Sequence, residues 1–436
     1  MQVRRPYLRP KTRFLRRFLW IALLLPLCGV CAVARDATNL LFLKEQSAQT
    51  PRFERLSIEQ GLSQSSGHCI LQDKRGFLWI GSQDGLNKYD GYSFTVYRHN
   101  PSDTTSLSDS WITGLYESPT GELWIAARNG LHLFDPAGER FTRIPVPHVG
   151  KMLATANALF FAAPQGLYRY DLRARALAPI LRENVHDFAL RPTAQDGELV
   201  VARRNGLAIV SASGEMRPFP AIASNAMGDA GMVGLSSWKY RAVAFHDDST
   251  LIALADSFAL CLRLSSREKA TVYGRISLPQ ARRQPSADES FWKIGRLNAN
   301  EPWICGSSFV SVWNLASSAV RVALPSTESQ LSQMPEYINA AAAQGDSILW
   351  ICTNKGIWKV ALATNAVLRI TPDAAEQNSL ADAHILSVSL DRFGGVWFGS
   401  RTGGVHLLNP NRYKFAIFRH NPFNNNSISN DGIRSF

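Results

Sequence analysis

Cysteine is scarce in this chain, with six in 436 residues, and two of those, Cys28 and Cys31, lie inside an N-terminal apolar run. Cys69, Cys261, Cys305 and Cys352 remain beyond it, too few to staple a chain of this length into a disulfide scaffold. Motifs that carry known chemistry are missing as well. No HExxH, GxSxG or phosphate-binding glycine loop occurs, and the nine histidines show no metal-ligand spacing. Helical periodicity is absent after residue 36, and no second membrane-length apolar run follows the first. The sequence therefore points away from a helical protein, a metalloenzyme and a nucleotide-dependent enzyme. No catalytic residue, metal or cofactor is expected.

Acidic residues are absent from the first 34 positions, where Arg4, Arg5, Arg9, Lys11, Arg13, Arg16 and Arg17 precede an apolar run from Phe18 to Ala34. A basic start, an apolar middle and the small residues Ala32 and Ala34 describe an export signal over 1–34, with 35–50 as a linker. The alternative is an uncleaved membrane anchor. Both place the rest of the chain outside the cytoplasm. Removing these seven cations lowers the net charge from +12 to +5, and the remaining Lys and Arg are scattered. Nucleic acid is not an expected partner.

What the chain has in quantity is repetition. Gly76-Phe77-Leu78-Trp79-Ile80-Gly81 leads to Asp84-Gly85-Leu86, and Gly121-Glu122-Leu123-Trp124-Ile125-Ala126 leads to Asn129-Gly130-Leu131. The frame returns around Trp350 and Trp397, with weaker copies centred on Phe160, Val200, Ile252 and Trp303. Each copy reads as short strands separated by glycine turns, about 45 residues in all, the size of one propeller blade. Asp84-Gly85 and Asn129-Gly130 offer the positive φ of a tight hairpin. The expected fold is an all-β propeller.

A longer echo sets the expected blade count. Phe94 to Ile112 resembles Phe415 to Ile433, and the matching slots Trp79 and Trp397 lie 318 residues apart. Seven blades of about 45 residues fill that span. The reading is a seven-bladed propeller over 51–375, followed over 376–436 by the first blade and a partial strand of a second propeller. Six or eight blades remain open. The break at Phe436 reads as the end of a fragment whose missing part holds an output domain.

Asp73-x-x-Gly76-x-Leu78-Trp79-Ile80-Gly81 followed by Gly85-Leu86-x-x-Tyr89-Asp90 resembles the two-component regulator propeller repeat. The lead-in Phe53-Glu54-Arg55-Leu56 and Gly61-Leu62-Ser63 resembles the opening of the same family. The resemblance spans about 51–436 and fades between about 150 and 310. It implies the periplasmic sensor region of a membrane signalling protein, whose histidine kinase or diguanylate cyclase lies elsewhere in the parent. It also implies a homodimer formed through the parent, and membrane contact only through the leader or a missing C-terminal span.

Candidate functional residues follow from topology. In a blade the turn between the second and third strands returns to the face where the first strand begins. Those turns carry Gln83, Asp84, Arg128, Asn129, Gln165, Arg203, Arg204, Asn205, Asn354, Lys355, Arg401 and Thr402. Converging Arg and Lys favour an anion, and Arg offers two parallel hydrogen bonds to a carboxylate or phosphate. Trp111, in a Ser- and Asp-rich connection, is an aromatic that could meet the ligand. The Trp-slot residues are assigned to packing between blades. Cys305 and Cys352 occupy a slot that elsewhere holds Gly or Ala, where a free thiol acts as a small apolar group; a disulfide between adjacent blades stays open. His132 and His406 share a repeat slot, which marks them as structural. The expected function is a non-catalytic sensor of a saccharide or other anionic small molecule. The alternatives are an exported propeller lyase or hydrolase, and a protein-binding scaffold.

Overall fold

In the first repeat, strands Cys69–Gln72, Leu78–Ser82, Gly85–Tyr89 and Phe94–Tyr97 pair in that order, each antiparallel to the next. Asp73 organises the turn between the first two. Its Oδ1 accepts the N–H groups of Arg75 and Phe77, both at 3.0 Å, and its Oδ2 accepts the Trp79 indole N–H at 3.0 Å. One buried carboxylate thus holds the turn and the largest side chain together. Asp391 repeats the arrangement on Phe393, Gly395 and Trp397 at 2.9, 2.7 and 2.9 Å. Gln344 supplies the acceptor for Trp350 at 2.9 Å. In the second repeat Ser118 stands six residues before Trp124, and that indole N–H has no partner among the described residues.

The computed structural model describes residues 51–409, apart from 193–196, 224–237, 266–268, 279–291, 307–308, 318, 325–336 and 377. The export signal and linker predicted over 1–50 lie outside the described residues, as do 410–436. No helix among the described residues is long and apolar enough to cross a membrane.

Eight such sheets form the ring. Their first strands are Cys69–Gln72, Ile112–Glu117, Met152–Ala154, Val185–Leu190, Tyr240–Phe245, Lys293–Arg296, Ile338–Gln344 and Ile385–Leu390. The first strands of blades 1 and 2, of blades 4 to 8 in succession, and of blades 8 and 1 meet one another, which puts them around the axis. Blade 5 carries a fifth strand, Ala221–Ala223, parallel to its outer strand Lys269–Ser277.

The count corrects the expected seven to eight. The copy around Trp397 is not the start of a second propeller; it is blade 8 of the same ring. Its outer strand is Glu54–Leu56, which pairs with Leu407, His406 and Val405. The 318 residues between Trp79 and Trp397 contain seven intervals, and seven intervals bound eight blades when the last copy belongs to the ring. The boundary expected at 375/376 therefore falls inside the connection from blade 7 to blade 8. The ring closes on a strand from the N-terminal side of the chain, which pairs the outer edge of Val405–Leu408 that would otherwise stand open at the seam.

Blades are held face to face. Trp79 packs against Phe134 of blade 2 with ring centroids 5.0 Å apart. The small slot two residues after each Trp is tight: a Cβ on Gly81 would come within 2.7 Å of Ile112 Cγ2. Cys305 and Cys352 are buried in that slot, and all four described cysteines are free thiols, so the open disulfide is not formed. Burial pushes the Cys69 and Cys261 thiols up to about 12, and those of Cys305 and Cys352 higher.

Around the axis, side chains of one first strand clasp the next. Lys151 meets the Asp187 carboxylate at 2.8 Å, and Asp187 accepts Val243 N–H at 2.9 Å. Lys293 donates to Ala341 O at 3.0 Å, Asn339 to Ile385 O at 2.7 Å, and Ser387 to Gly67 O at 2.8 Å. Among the described residues the axial edge of each first strand has no neighbouring strand, and these side chains take up some of its polar groups.

Candidate functional site

The turns between second and third strands and the connections that enter the next blade share one face, and main-chain hydrogen bonds lock them together. Gly85 N donates to Ser110 O at 2.8 Å, Gly356 N to Ala383 O at 2.7 Å, and Gly404 N to Ser65 O at 2.9 Å, so each turn glycine grips the following connection. All three have positive φ, 126°, 112° and 84°, which only glycine adopts without cost. Gly130 does not. Arg128 N likewise bonds Trp111 O, and Arg401 N bonds His384 O, both at 2.9 Å.

Six of these face residues form a crescent over blades 7, 8, 1 and 2. The Arg128 guanidinium lies 4.9 Å from the Trp111 ring centroid, a cation–π stack. The His68 ring centroid lies 6.0 Å from that of Trp111, the two rings tilted by 46°. Gly67 N donates to Ser400 O at 2.9 Å, which sets His68 beside Arg401. Arg401 adjoins His384 through the bond already given, and the Tyr337 ring lies 5.8 Å from His384. The order along the crescent is Arg128, Trp111, His68, Arg401, His384, Tyr337.

Its electrostatics are cationic. Among the described residues no carboxylate pairs with Arg128 or Arg401. Asp382 is occupied, accepting His384 N at 2.9 Å and both Thr402 N and Thr402 Oγ1 at 2.8 Å. Burial, and then repulsion from Arg401, hold both His68 and His384 below the usual imidazole value; Asp382 opposes this at His384. Two buried polar atoms of this sector, His68 Nε2 and Asn354 Oδ1, have no partner among the described residues.

The other candidates separate from this group. Arg203 is held by Glu183 at 2.9 Å and Asp84 by Arg98 at 3.1 Å. Gln83 bonds Gln64. Asn129 is an exposed turn tip, and Arg204 is exposed on blade 4, across the ring from blade 8. Lys355 is half-buried on blade 7, and its carbonyl takes two hydrogen bonds from Arg369. The turns therefore do not deliver one even ring of cations: Trp111, Arg128 and Arg401 come together and the rest do not. His68, Tyr337 and His384 were not expected. Tyr337 and His384, like Trp111, stand directly before the isoleucine that opens an inner strand, and His68 stands directly before Cys69, which opens another.

A second concavity of about 430 Å³ lies at the closing seam, lined by Phe53, Arg55, Asp373, Glu376 and Ser379 among others. Its carboxylates suit it less to an anion. No cluster of His, Cys, Asp or Glu among the described residues could hold a metal ion.

Residues 61–84 match the family described as two component regulator propeller. Histidine kinase P4 of Formosa agariphila is 46% identical over 80 residues, which is 18% of this chain and 6% of that one. A B. thetaiotaomicron extracellular domain assigned to a hybrid two component system aligns with a TM-score of 0.52 at 21% identity, over 82% of this chain and 42% of its own. A second B. thetaiotaomicron extracellular domain, assigned to a one component system, gives 0.53 at 18%, over 85% and 41%. The propeller of Dos1 gives 0.53 at 14%, over 82% and 94%. These structural likenesses are of fold, and the chain spans less than half of both extracellular domains.

Proposed function

We propose that this chain, whose repeats are those of the two-component regulator propeller family, is the ligand-sensing part of a bacterial signalling protein and does no chemistry of its own. The basic and apolar N-terminus, together with fold neighbours described as extracellular domains, supports a place outside the cytoplasm. The kinase or cyclase activity belongs to the parent protein.

The observation that carries the reading is the crescent. Trp111 and Tyr337 are half-buried aromatic rings of the kind that stack on sugar rings, and Arg128 and Arg401 are forked donors that no carboxylate pairs among the described residues. Aromatic faces alternating with cations match a saccharide that bears carboxylate or another acid group. Because the crescent crosses the seam between blades 8 and 1, a ligand there would also bridge the two ends of the ring. The test is a thermal-shift screen of neutral sugars, acidic oligosaccharides, organic acids and peptides at fixed salt. A concentration-dependent rise with acidic saccharides supports the reading, because a ligand of the folded state stabilises it by mass action. A rise with peptides alone, or with none of the panel, contradicts it.

A further inference from the structure

We propose that His68, Arg401 and His384 form an oxyanion subsite within the crescent, and that it takes up protons together with its ligand. The inference rests on the crescent as ligand site and assigns to it a chemistry that the arginines alone do not give.

The geometry comes first. Arg401 sits between the two imidazoles, tied to one side by Arg401 N to His384 O and to the other by Gly67 N to Ser400 O, both at 2.9 Å. Each ring is braced on its outer side by an aromatic neighbour, Trp111 for His68 and Tyr337 for His384. His68 Nε2 is buried with no partner among the described residues, an uncommon state for a ring nitrogen and one that a ligand oxygen would relieve. Both histidines are half-buried, and Arg401 between them is exposed.

The charges fix the sign of the coupling. Arg401 bears on both histidines, and Asp382 bears on His384 with both its oxygens already hydrogen-bonded. With the subsite free, burial and Arg401 together favour neutral imidazoles. An oxyanion seated on Arg401 offsets that repulsion and gives each imidazolium an acceptor, so protonation becomes easier in the complex. By linkage, a group that binds its proton more tightly in the complex makes the ligand bind more tightly as pH falls. Affinity should therefore rise below about pH 6.5, the unperturbed imidazole value. A neutral sugar has no such dependence.

The test uses probes whose charge is constant between pH 5 and 8: glucuronate for a carboxylate, glucose 6-sulfate for a sulfate ester, and glucose as the neutral control. The histidine ring signals of the whole chain are titrated by NMR with and without each probe. His246 serves as an internal reference, since it sits at the far end of an inner strand with its Nε2 against Ala299 O at 2.7 Å. The expected result is that one or both anions raise the midpoints of His68 and His384 by about half a unit or more, equivalent to roughly threefold in affinity for each group. His246 should not move, and glucose should shift none of the three. In R401Q the free midpoints should rise and the anion-induced shift should shrink, which a purely structural role for Arg401 would not produce. If an anion perturbs Trp111 and Arg128 but leaves both histidine midpoints in place, the subsite is wrong and the crescent stands. If neither anion perturbs any crescent residue, both readings fall.

Discussion

His132 and His406 occupy the same position on the third strand of blades 2 and 8, both fully buried, and both work only when neutral. His132 Nε2 accepts Ser108 N–H at 2.9 Å, and His406 Nε2 accepts Ala381 N–H at 3.1 Å, so each ties the connection entering a blade to its third strand. Burial is the main cause that lowers both to about 4. In the unfolded chain they titrate near 6.5. The unfolded state therefore binds more protons between these values, and stability falls as pH drops from about 6.5 toward 4, by about 1.4 kcal/mol per unit for each group. At pH 5 each histidine costs about 2 kcal/mol relative to neutral pH, and the pair about 4 kcal/mol. Blade 1 shows the substitution that removes this cost. Asn87 fills the same slot, its Oδ1 accepting Ser63 N–H at 2.8 Å and its Nδ2 donating to Ile80 O at 3.2 Å, with no proton to gain. Urea unfolding at pH 7.5 and pH 5 should show that the H132N/H406N variant loses about 4 kcal/mol less stability on acidification than the natural chain. Equal losses in the two proteins would refute the reasoning, and the single variants should each recover about half.

Further outcomes follow from the turns and the seam. Asp73→Ala leaves two backbone N–H groups and a buried indole N–H without acceptors, so it should destabilise by about 3 kcal/mol or more, read from the urea midpoint. Leu56→Asp should destabilise by more than about 3 kcal/mol, because Leu56 is 5% exposed in the cluster that joins blades 8 and 1. Leu177→Asp, on an exposed stretch of an outer strand, should stay within about 0.5 kcal/mol. Equal effects of the two would mean that the N-terminal strand does not close the ring.

The repeat was legible because its parts are local. A glycine turn, an apolar strand with Trp at its centre and a second glycine fall within about ten residues, so even Val200 and Ile252 could be placed in the second strands where they lie. The closure was not legible. It depends on three residues, Glu54 to Leu56, pairing with residues about 350 positions away, and three residues carry no periodicity. The echo from Phe415 to Phe418 read as the outer strand of a second propeller's first blade, but beside the Trp397 copy Glu54–Leu56 holds the outer place. The site was half visible. Turn register put Arg128 and Arg401 on one face, but Glu183 and Arg98, which take Arg203 and Asp84, sit 20 and 14 residues away and are not marked by the repeat. The histidines and Tyr337 vary from blade to blade, so the turn register missed them, and only their shared place directly before an inner strand could have pointed to them.

The central claim is that the ligand binds the crescent rather than the whole polar face. Calorimetric titration of an acidic oligosaccharide found in the thermal-shift screen, into the natural chain, R128E/R401E and R203E/R204E at one salt concentration, tests it most directly. The account predicts that R128E/R401E loses binding with its melting temperature held, and that R203E/R204E binds as the natural chain does. Binding that survives in R128E/R401E, or that disappears in R203E/R204E, would contradict it.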